Sequence, residues 1–195
     1  MDADAVEIRV LGCLIEKQRT TPDAYPLSLN SLRLACNQAT SRDPVVDYDE
    51  PTIRQALEPL SRKGCVRLAS GQGSRAVKYR HLLDDALALD GAEIALLAVL
   101  MLRGPQTPGE LKQRTERLHS FAPGEVEATL VRLAERELVA RLPRRPGQKE
   151  ERFQQLVGGV ETESEPDARA ETTLEERVVR LEEEVARLRD AFESR

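Results

Sequence analysis

The sequence has few aromatic residues, no tryptophan and no long apolar stretch. Phe and Tyr make up only 3% of its 195 residues, so a core must consist of Leu, Val, Ile and Ala, which suits short packed helices. No run of about 18 apolar residues is available to span a bilayer. The acidic N-terminus MDADAVEIRV lacks the pattern of a signal peptide. We therefore expect a helix-rich cytoplasmic protein that does not contact membranes.

Residues for catalysis and metal binding are equally sparse. Cys13, Cys36 and Cys65 are odd in number, widely spaced and embedded in apolar helical patterns, which predicts buried thiols rather than disulfides or metal ligands. Neither His81 nor His119 has a neighbouring Cys/His/Asp set at metal-ligand spacing. The string GQGSR lacks the Lys-Ser/Thr of a phosphate-binding loop. We predict no catalytic activity, no metal and no cofactor.

The net charge of −5 is concentrated in the C-terminal tail. Residues 160–195 contain 12 acids and 6 bases, whereas residues 1–159 contain 22 acids and 23 bases. The distribution of charge matters more than its sum for binding nucleic acid. A nearly neutral body is compatible with one basic face.

Helical spacing of apolar residues defines three helices at the start of the chain. The first extends over about 5–18, the second begins near Ser28, and the third begins after Asp49 and stops near Gly64. Two short segments around the Gly-rich turn SGQGSR, within 65–81, predict a β-hairpin. Three helices followed by a hairpin are the elements of a winged helix.

The same order of elements returns in the second half of the body. Asp90 and Glu93 form a capping box before a fourth long helix, Thr107 starts the next helix, and Pro123 starts the last. A second hairpin follows over 139–157. We call these two sets of elements the first and second modules.

The register of the two modules indicates a duplication. The apolar positions of the two first helices match at an offset of 86 residues, which also aligns Thr21-Pro22 with Thr107-Pro108. The apolar positions of the two third helices match at an offset of 73 residues. The sequence thus predicts 13 extra residues in the first module between its second and third helices, around NQATSRDPVVDYD.

The tail carries a separate pattern. Its apolar residues are separated by alternating steps of four and three, at Leu174, Val178, Leu181, Val185, Leu188 and Phe192. This spacing predicts a parallel two-stranded coiled coil and hence a homodimer. The alternative is an amphipathic helix that folds back onto its own chain.

The fold class is then mainly α with small β-hairpin wings (α+β). Four segments follow: winged-helix domains at 1–85 and 86–159, an acidic linker at 160–171, and a coiled-coil helix at 172–195.

Four strings resemble a known family. LGCLIEKQRTTPDAYPLSLNSLRLACNQATSRDPV, GSRAVKYRH, LRGPQTPGEL and RLPRRPGQKEERFQQL occur in order within residues 5–157, and together they resemble the bacterial YceH-like family, whose function is unassigned. The resemblance implies a tandem winged-helix fold. It implies no activity, substrate or catalytic residue.

A winged helix that binds DNA inserts its third helix in the major groove and contacts phosphates with its hairpin. In the first module the candidate contacts are Thr52, Arg54, Gln55, Arg62, Lys63, Arg75, Lys78 and Arg80, and in the second they are Arg144, Arg145 and Lys149. The leading hypothesis is a regulator, of helix-turn-helix type, that binds double-stranded DNA.

The alternative hypothesis is an adaptor that binds a protein partner. Bacterial condensin accessory subunits have a similar architecture of tandem winged helices. Those subunits use the scaffold to hold partner proteins. The segment Tyr25–Asn30 and the extra residues of the first module are then candidate contact surfaces. The favoured interpretation of Tyr25 and Leu27 is that they seal the core between the first two helices.

Overall fold

A computed structural model describes residues 2–69, 77–144 and 150–158. The predicted linker at 160–171 and the predicted coiled coil at 172–195 lie outside these ranges. The fold is mixed α+β, with helices and small antiparallel sheets. Within the described ranges, no helix combines the length and the apolar character needed to cross a bilayer.

In the described part of the first module there are three α-helices and three strands. In chain order its elements are α1 (Ala5–Thr20), β1 (Leu27–Ser28), α2 (Leu29–Cys36), α3 (Glu50–Arg62), β2 (Val66–Ala69) and β3 (Lys78–His81). The strands form one antiparallel sheet in the order β1-β3-β2. The three predicted helices and the predicted hairpin are confirmed, and β1 is an addition that the sequence did not indicate.

The second module repeats this order after a short connecting helix. Its elements are α4 (Leu83–Leu87), α5 (Gly91–Arg103), α6 (Pro108–Thr115), α7 (Glu125–Glu135), β4 (Val139–Leu142) and β5 (Arg152–Gln155). The connecting helix α4 was not predicted. In place of a third strand, Gln106 alone pairs with Phe153 through two backbone hydrogen bonds of 3.0 and 2.8 Å. This bridge occupies the position of the β1–β3 pairing in the first module.

Side-chain caps explain why the helices begin where they do. Asp4 caps α1 and Asp90 caps α5, each in a capping box with the Glu three residues later. Asp49 accepts a hydrogen bond of 2.9 Å from the backbone N–H of Thr52 at the start of α3. These contacts are local in sequence, and the predicted helix starts at Asp49 and Asp90 are confirmed.

One predicted feature of the duplication is wrong. The caps of α1 and α5, Asp4 and Asp90, are 86 residues apart, as the sequence register predicts. The caps of α2 and α6, Ser28 and Thr107, are only 79 apart. The first module therefore has seven of its 13 extra residues before α2, and six between α2 and α3.

The reason lies in the segment after α1. Thr21-Pro22 match Thr107-Pro108 in sequence, but they begin only a short 3₁₀ helix, Pro22–Ala24. The side chain of Ser28 caps α2 instead, with a 3.2 Å hydrogen bond from the N–H of Ser31. Because β1 must first pair with β3, the second helix starts seven residues later than the sequence match suggests.

The two modules share one apolar core. Residues from Ala92 to Leu102 are buried all round α5, as expected of a helix in the centre of a protein, and α5 packs against α1. Gly12 makes the approach possible, because a Cβ atom there would lie 2.9 Å from the Leu102 side chain. The described residues group into one compact unit, and a domain boundary between residues 85 and 86 stays a prediction.

Candidate nucleic-acid interface

The outer face of α3 presents most of the residues predicted for this helix. Ile53, Ala56, Leu57 and Leu60 bury its inner face, and the side chains of Arg54, Gln55 and Arg62 are exposed on the other. Thr52 is half-buried at the cap. Of these residues, neither Arg54 nor Arg62 has an ion pair within the described part of the chain.

Lys63 differs from the other candidates because its ammonium group is held by the protein. Nζ lies 3.0 Å from Oε2 of Glu7 and donates a 2.6 Å hydrogen bond to the carbonyl of Asp2. Glu7 is the capping-box residue of α1. The structure thus places Lys63 in a contact between the end of α3 and the start of α1.

The hairpin of the first module carries a cluster of positive charge. Arg67 and Arg80 lie directly opposite each other across β2 and β3, and both are exposed. Lys78 is two residues from Arg80 and therefore lies on the same face. Like charges in directly opposed positions destabilise a sheet, and among the described residues no carboxylate pairs with any of the three.

Sequence reasoning missed Arg67. The period-two alternation of a strand could have found it, because once the hairpin register is fixed, Arg67 must face the same side as Arg80. We call Arg67, Lys78 and Arg80 the wing cluster.

The opposite face of this hairpin is apolar. Leu68 and Tyr79 face α3 across a groove of about 390 Å³, which is also lined by Arg54 and Arg62. Leu68 is 55% exposed. The predicted DNA surface is therefore divided, with the cations of α3 beside an apolar groove and the wing cluster on the outer side of the sheet.

Three cations of the third helix and hairpin of the second module are paired with carboxylates of that module. Arg132 lies 3.1 Å from Asp90, Arg136 lies 3.1 Å from Glu93, and Arg141 on β4 lies 3.3 Å from Glu151. The Glu93–Arg136 pair occupies the same position in the fold as Glu7–Lys63, joining the cap of the first helix to the end of the third. Both modules thus use this ion pair to hold their helices together.

Some predicted contacts cannot be placed in this geometry. Arg75, Arg145 and Lys149 lie outside the described residues, as do the six heptad positions of the tail. Arg144 is exposed at the end of the described part of the second hairpin.

A buried histidine fixes the first hairpin to α1. Nε2 of His81 lies 2.6 Å from Oε1 of Gln18, and the backbone N–H of His81 donates to the Tyr25 hydroxyl at 2.8 Å. Burial lowers the pKa of His81 to about 4, although the nearby Asp84 opposes the shift. Burial also raises the pKa of Tyr25 to about 12. His81 is therefore uncharged at neutral pH, and it holds the base of the hairpin.

The loop between α2 and α3 is held by two buried arginines. The guanidinium of Arg42 donates to both carboxylate oxygens of Glu16, at 3.1 and 2.7 Å, and to the carbonyl of Ala35. Arg9 donates to the carbonyl of Pro44 at 2.6 Å. Burial would raise the pKa of Glu16, but the contact with Arg42 brings it below its ordinary value. The loop therefore holds a defined path to the cap of α3.

The prediction of buried thiols is confirmed, since Cys13, Cys36 and Cys65 are all buried. The hydrogen bond to Cys13, together with burial, raises the pKa of Cys36. In the part of the chain that the structure describes, no three His, Cys, Asp or Glu residues are grouped as metal ligands would be.

Comparison with known proteins gives a consistent family match. A family model described as "Protein of unknown function, DUF480" matches residues 3–148. A UPF0502 protein of Shewanella amazonensis is 48% identical over 196 residues, which cover 92% of this chain and 93% of the relative. UPF0502 proteins of Serratia proteamaculans and Solibacter usitatus are 47% and 49% identical, and the alignments cover 99% and 97% of this chain and 95% and 94% of those relatives.

Proposed function

The chain belongs to the DUF480 family of proteins of unknown function, and we propose that it is a non-catalytic protein that binds double-stranded DNA through its first module. One observation carries the proposal. Arg54, Arg62 and the wing cluster have no carboxylate partner among the described residues, whereas the equivalent helix and hairpin of the second module pair Arg132, Arg136 and Arg141 internally. A phosphate backbone would supply the missing negative charge.

We propose that each module is a winged helix. The support is the order of three helices followed by a hairpin in both modules, and the additional pairing of β1 with β3 in the first. In such a fold the third helix and the hairpin are the elements that contact DNA. Here these elements are α3, β2 and β3.

The two groups of cations would then have different tasks. Arg54 and Gln55 are exposed on the first half of α3, and both side-chain types can form hydrogen bonds with base edges in the major groove. The wing cluster would neutralise phosphates, which relieves the repulsion between Arg67 and Arg80. Affinity therefore depends on the hairpin, and sequence preference depends on α3.

The test is a titration of a fluorescent duplex at several salt concentrations, read by anisotropy. Binding should weaken steeply as salt rises, and Arg67→Ala with Arg80→Ala should reduce the slope of log K against log salt by roughly 2. The matched control, Lys112→Ala with Arg117→Ala, removes two exposed cations of the second module and should leave the slope unchanged. Absence of binding at low salt, or equal slopes for both double variants, refutes the proposal.

A further variant separates the role of α3 from that of the wing. Arg54→Ala should reduce discrimination between duplexes of different sequence, by about 1–3 kcal/mol at the base that it contacts. Arg80→Ala should weaken binding to all duplexes by a similar factor. Competition among a pool of random duplexes measures both effects.

The apolar groove between α3 and the hairpin favours the adaptor as a second candidate. Leu68 is 55% exposed in the middle of the surface assigned to DNA, and apolar area is typical of the centre of a protein interface. If the first module binds a protein, Leu68→Ser should abolish capture of that partner by the purified chain, while DNA would not bind at low salt. If DNA is the target, Leu68→Ser should leave the affinity for the duplex nearly unchanged.

We also propose that the chain forms a homodimer through residues 172–195. The support is the heptad pattern alone, with Val at a positions and Leu at d positions. Removal of residues 172–195 should convert a dimer to a monomer in a mass measurement in solution. A truncated chain that remains dimeric would refute this role of the tail.

A further inference from the structure

A polar pocket of about 550 Å³ lies where the long loop of the first module meets the second module. Asp43 from the loop, Arg103 at the end of α5, Gln106, and Arg114 on α6 line it, together with Arg152 at the start of β5. The backbone N–H of Asp43 donates a 2.9 Å hydrogen bond to the carbonyl of Leu102, so the wall from the first module is fixed to α5. We call this cavity the junction pocket.

The junction pocket is lined by three arginines and three carboxylates, and Arg103 among them is not paired with a carboxylate of the described residues. The guanidinium of Arg103 is half-buried, and it forms no hydrogen bond or ion pair with any residue that the structure describes. Burial, and then the nearby charges of Arg114 and Arg42, lower the pKa of Arg103. Oε1 of Glu110 lies 3.3 Å from the Arg114 guanidinium, and its Oε2 accepts the N–H of Thr107 at 2.9 Å in the capping box of α6.

A comparison of the two modules identifies a second unusual feature. Gln106 occupies the place of Leu27, since each directly precedes a helix cap and pairs with the last strand of its module. The two residues are buried to the same degree, at 5% and 4% exposure. The first module therefore has a leucine where the second has a buried amide.

The orientation of this amide follows from its hydrogen bonds. Nε2 of Gln106 donates to the carbonyls of Arg103 and Pro105, at 3.1 and 2.9 Å. Oε1 is buried at the pocket wall and has no partner among the described residues. A buried acceptor without a donor destabilises a fold by about 1–3 kcal/mol, an effect that an apolar residue of similar size avoids. A polar residue at this core position is thus unfavourable for folding alone.

We propose that the junction pocket binds a small organic anion that also carries an N–H or O–H donor. Its carboxylate or phosphate group would contact Arg103 and Arg114, since guanidinium groups bind both through paired hydrogen bonds. Its donor group would satisfy Oε1 of Gln106. Asp43 and Glu150 on the wall oppose a ligand that carries many negative charges, so the site favours one anionic group beside neutral or cationic ones. The proposal does not depend on DNA binding.

The test uses calorimetric titration and thermal melting of the full chain with three probes: inorganic phosphate, adenosine monophosphate and L-glutamate. Binding of either phosphate probe identifies a phosphate site, and binding of L-glutamate identifies a carboxylate site. At roughly millimolar concentrations, a bound probe should raise the melting temperature. Failure of all three probes to bind would overturn the proposal.

Two variants test the residues that carry the argument. Arg103→Ala should reduce the affinity for the probe by about tenfold or more. Gln106→Leu, which restores the residue of the first module, should melt at a higher temperature than the parent without a probe and bind the probe more weakly. Arg117→Ala, an exposed cation outside the pocket, is the matched control and should bind as the parent does. If Arg103→Ala and Gln106→Leu both bind like the parent, the pocket assignment is refuted.

Discussion

The buried histidine that holds the first hairpin should make the fold sensitive to mild acid. His81 is 1% exposed, and its ring contacts Gln18 of α1. Burial and the positive charges of Arg19 and Arg80 lower its pKa, and the carboxylates of Asp84 and Asp85 offset only part of the shift. The folded chain therefore resists protonation that the unfolded chain accepts readily.

The size of the effect follows from the two pKa values. The pKa is 6.5 in an unperturbed histidine and about 4 in the folded protein. Between these values the unfolded state binds more protons, so stability is lost as the pH falls. Linkage gives a loss of about 2 kcal/mol by about pH 5, and roughly 3 kcal/mol once both states are protonated. Such a loss is a large fraction of the stability of a typical domain.

The assay compares the parent with His81→Gln by urea denaturation at about pH 7 and about pH 5. The parent should lose about 2 kcal/mol more than the variant between the two conditions. Carboxylates with lowered pKa values, such as Glu16 and Asp90, also reduce stability in acid, but they are present in both proteins and cancel in the comparison. Equal losses in the two proteins would refute the assignment of a buried neutral histidine.

Three further changes test the packing. Gly12→Val should destabilise the protein by about 1–3 kcal/mol in urea, because the new side chain meets Leu102 where α1 and α5 cross; an unchanged midpoint would contradict the close approach. Arg42→Ala should cost about 1–3 kcal/mol, since it removes the buried hydrogen bonds of the guanidinium to Glu16, which then keeps only Lys17 as a cation among the described residues, and an unchanged free energy of unfolding would contradict a structural role. Asp90→Ala removes the cap of α5 and should lower the free energy of unfolding by about 0.5–2 kcal/mol, measured by thermal melting. An unchanged melting temperature would contradict this role of the cap.

Much of the fold could be predicted because its signals are local. Apolar spacing and capping residues act within a few positions, so the starts of α3 and α5 follow from Asp49 and Asp90 without knowledge of the rest of the chain. The duplication was visible for the same reason, since each module repeats these local signals. Burial of Cys13 and Cys36 followed from their place on apolar helix faces.

The candidate site was less predictable because it depends on which side chains meet. Lys63 and Arg54 are both cations of α3 in the sequence, yet Lys63 is held by Glu7, 56 residues away. The exposed pair of Arg67 and Arg80 exists only because the hairpin register sets the two residues opposite each other. Composition cannot distinguish a paired cation from an unpaired one.

The sequence by itself determined the six longer helices, the caps at Asp49 and Asp90, both hairpins and the family of the chain, because each of these depends on neighbours along the chain or on direct similarity. Only the tertiary structure decided three other features. These are the division of the extra residues around α2, the exposed cations of the first module, and the junction pocket with its buried Gln106. All three result from contacts between residues distant in sequence, and such contacts are fixed only when α1 and α5 pack and each hairpin closes on its module.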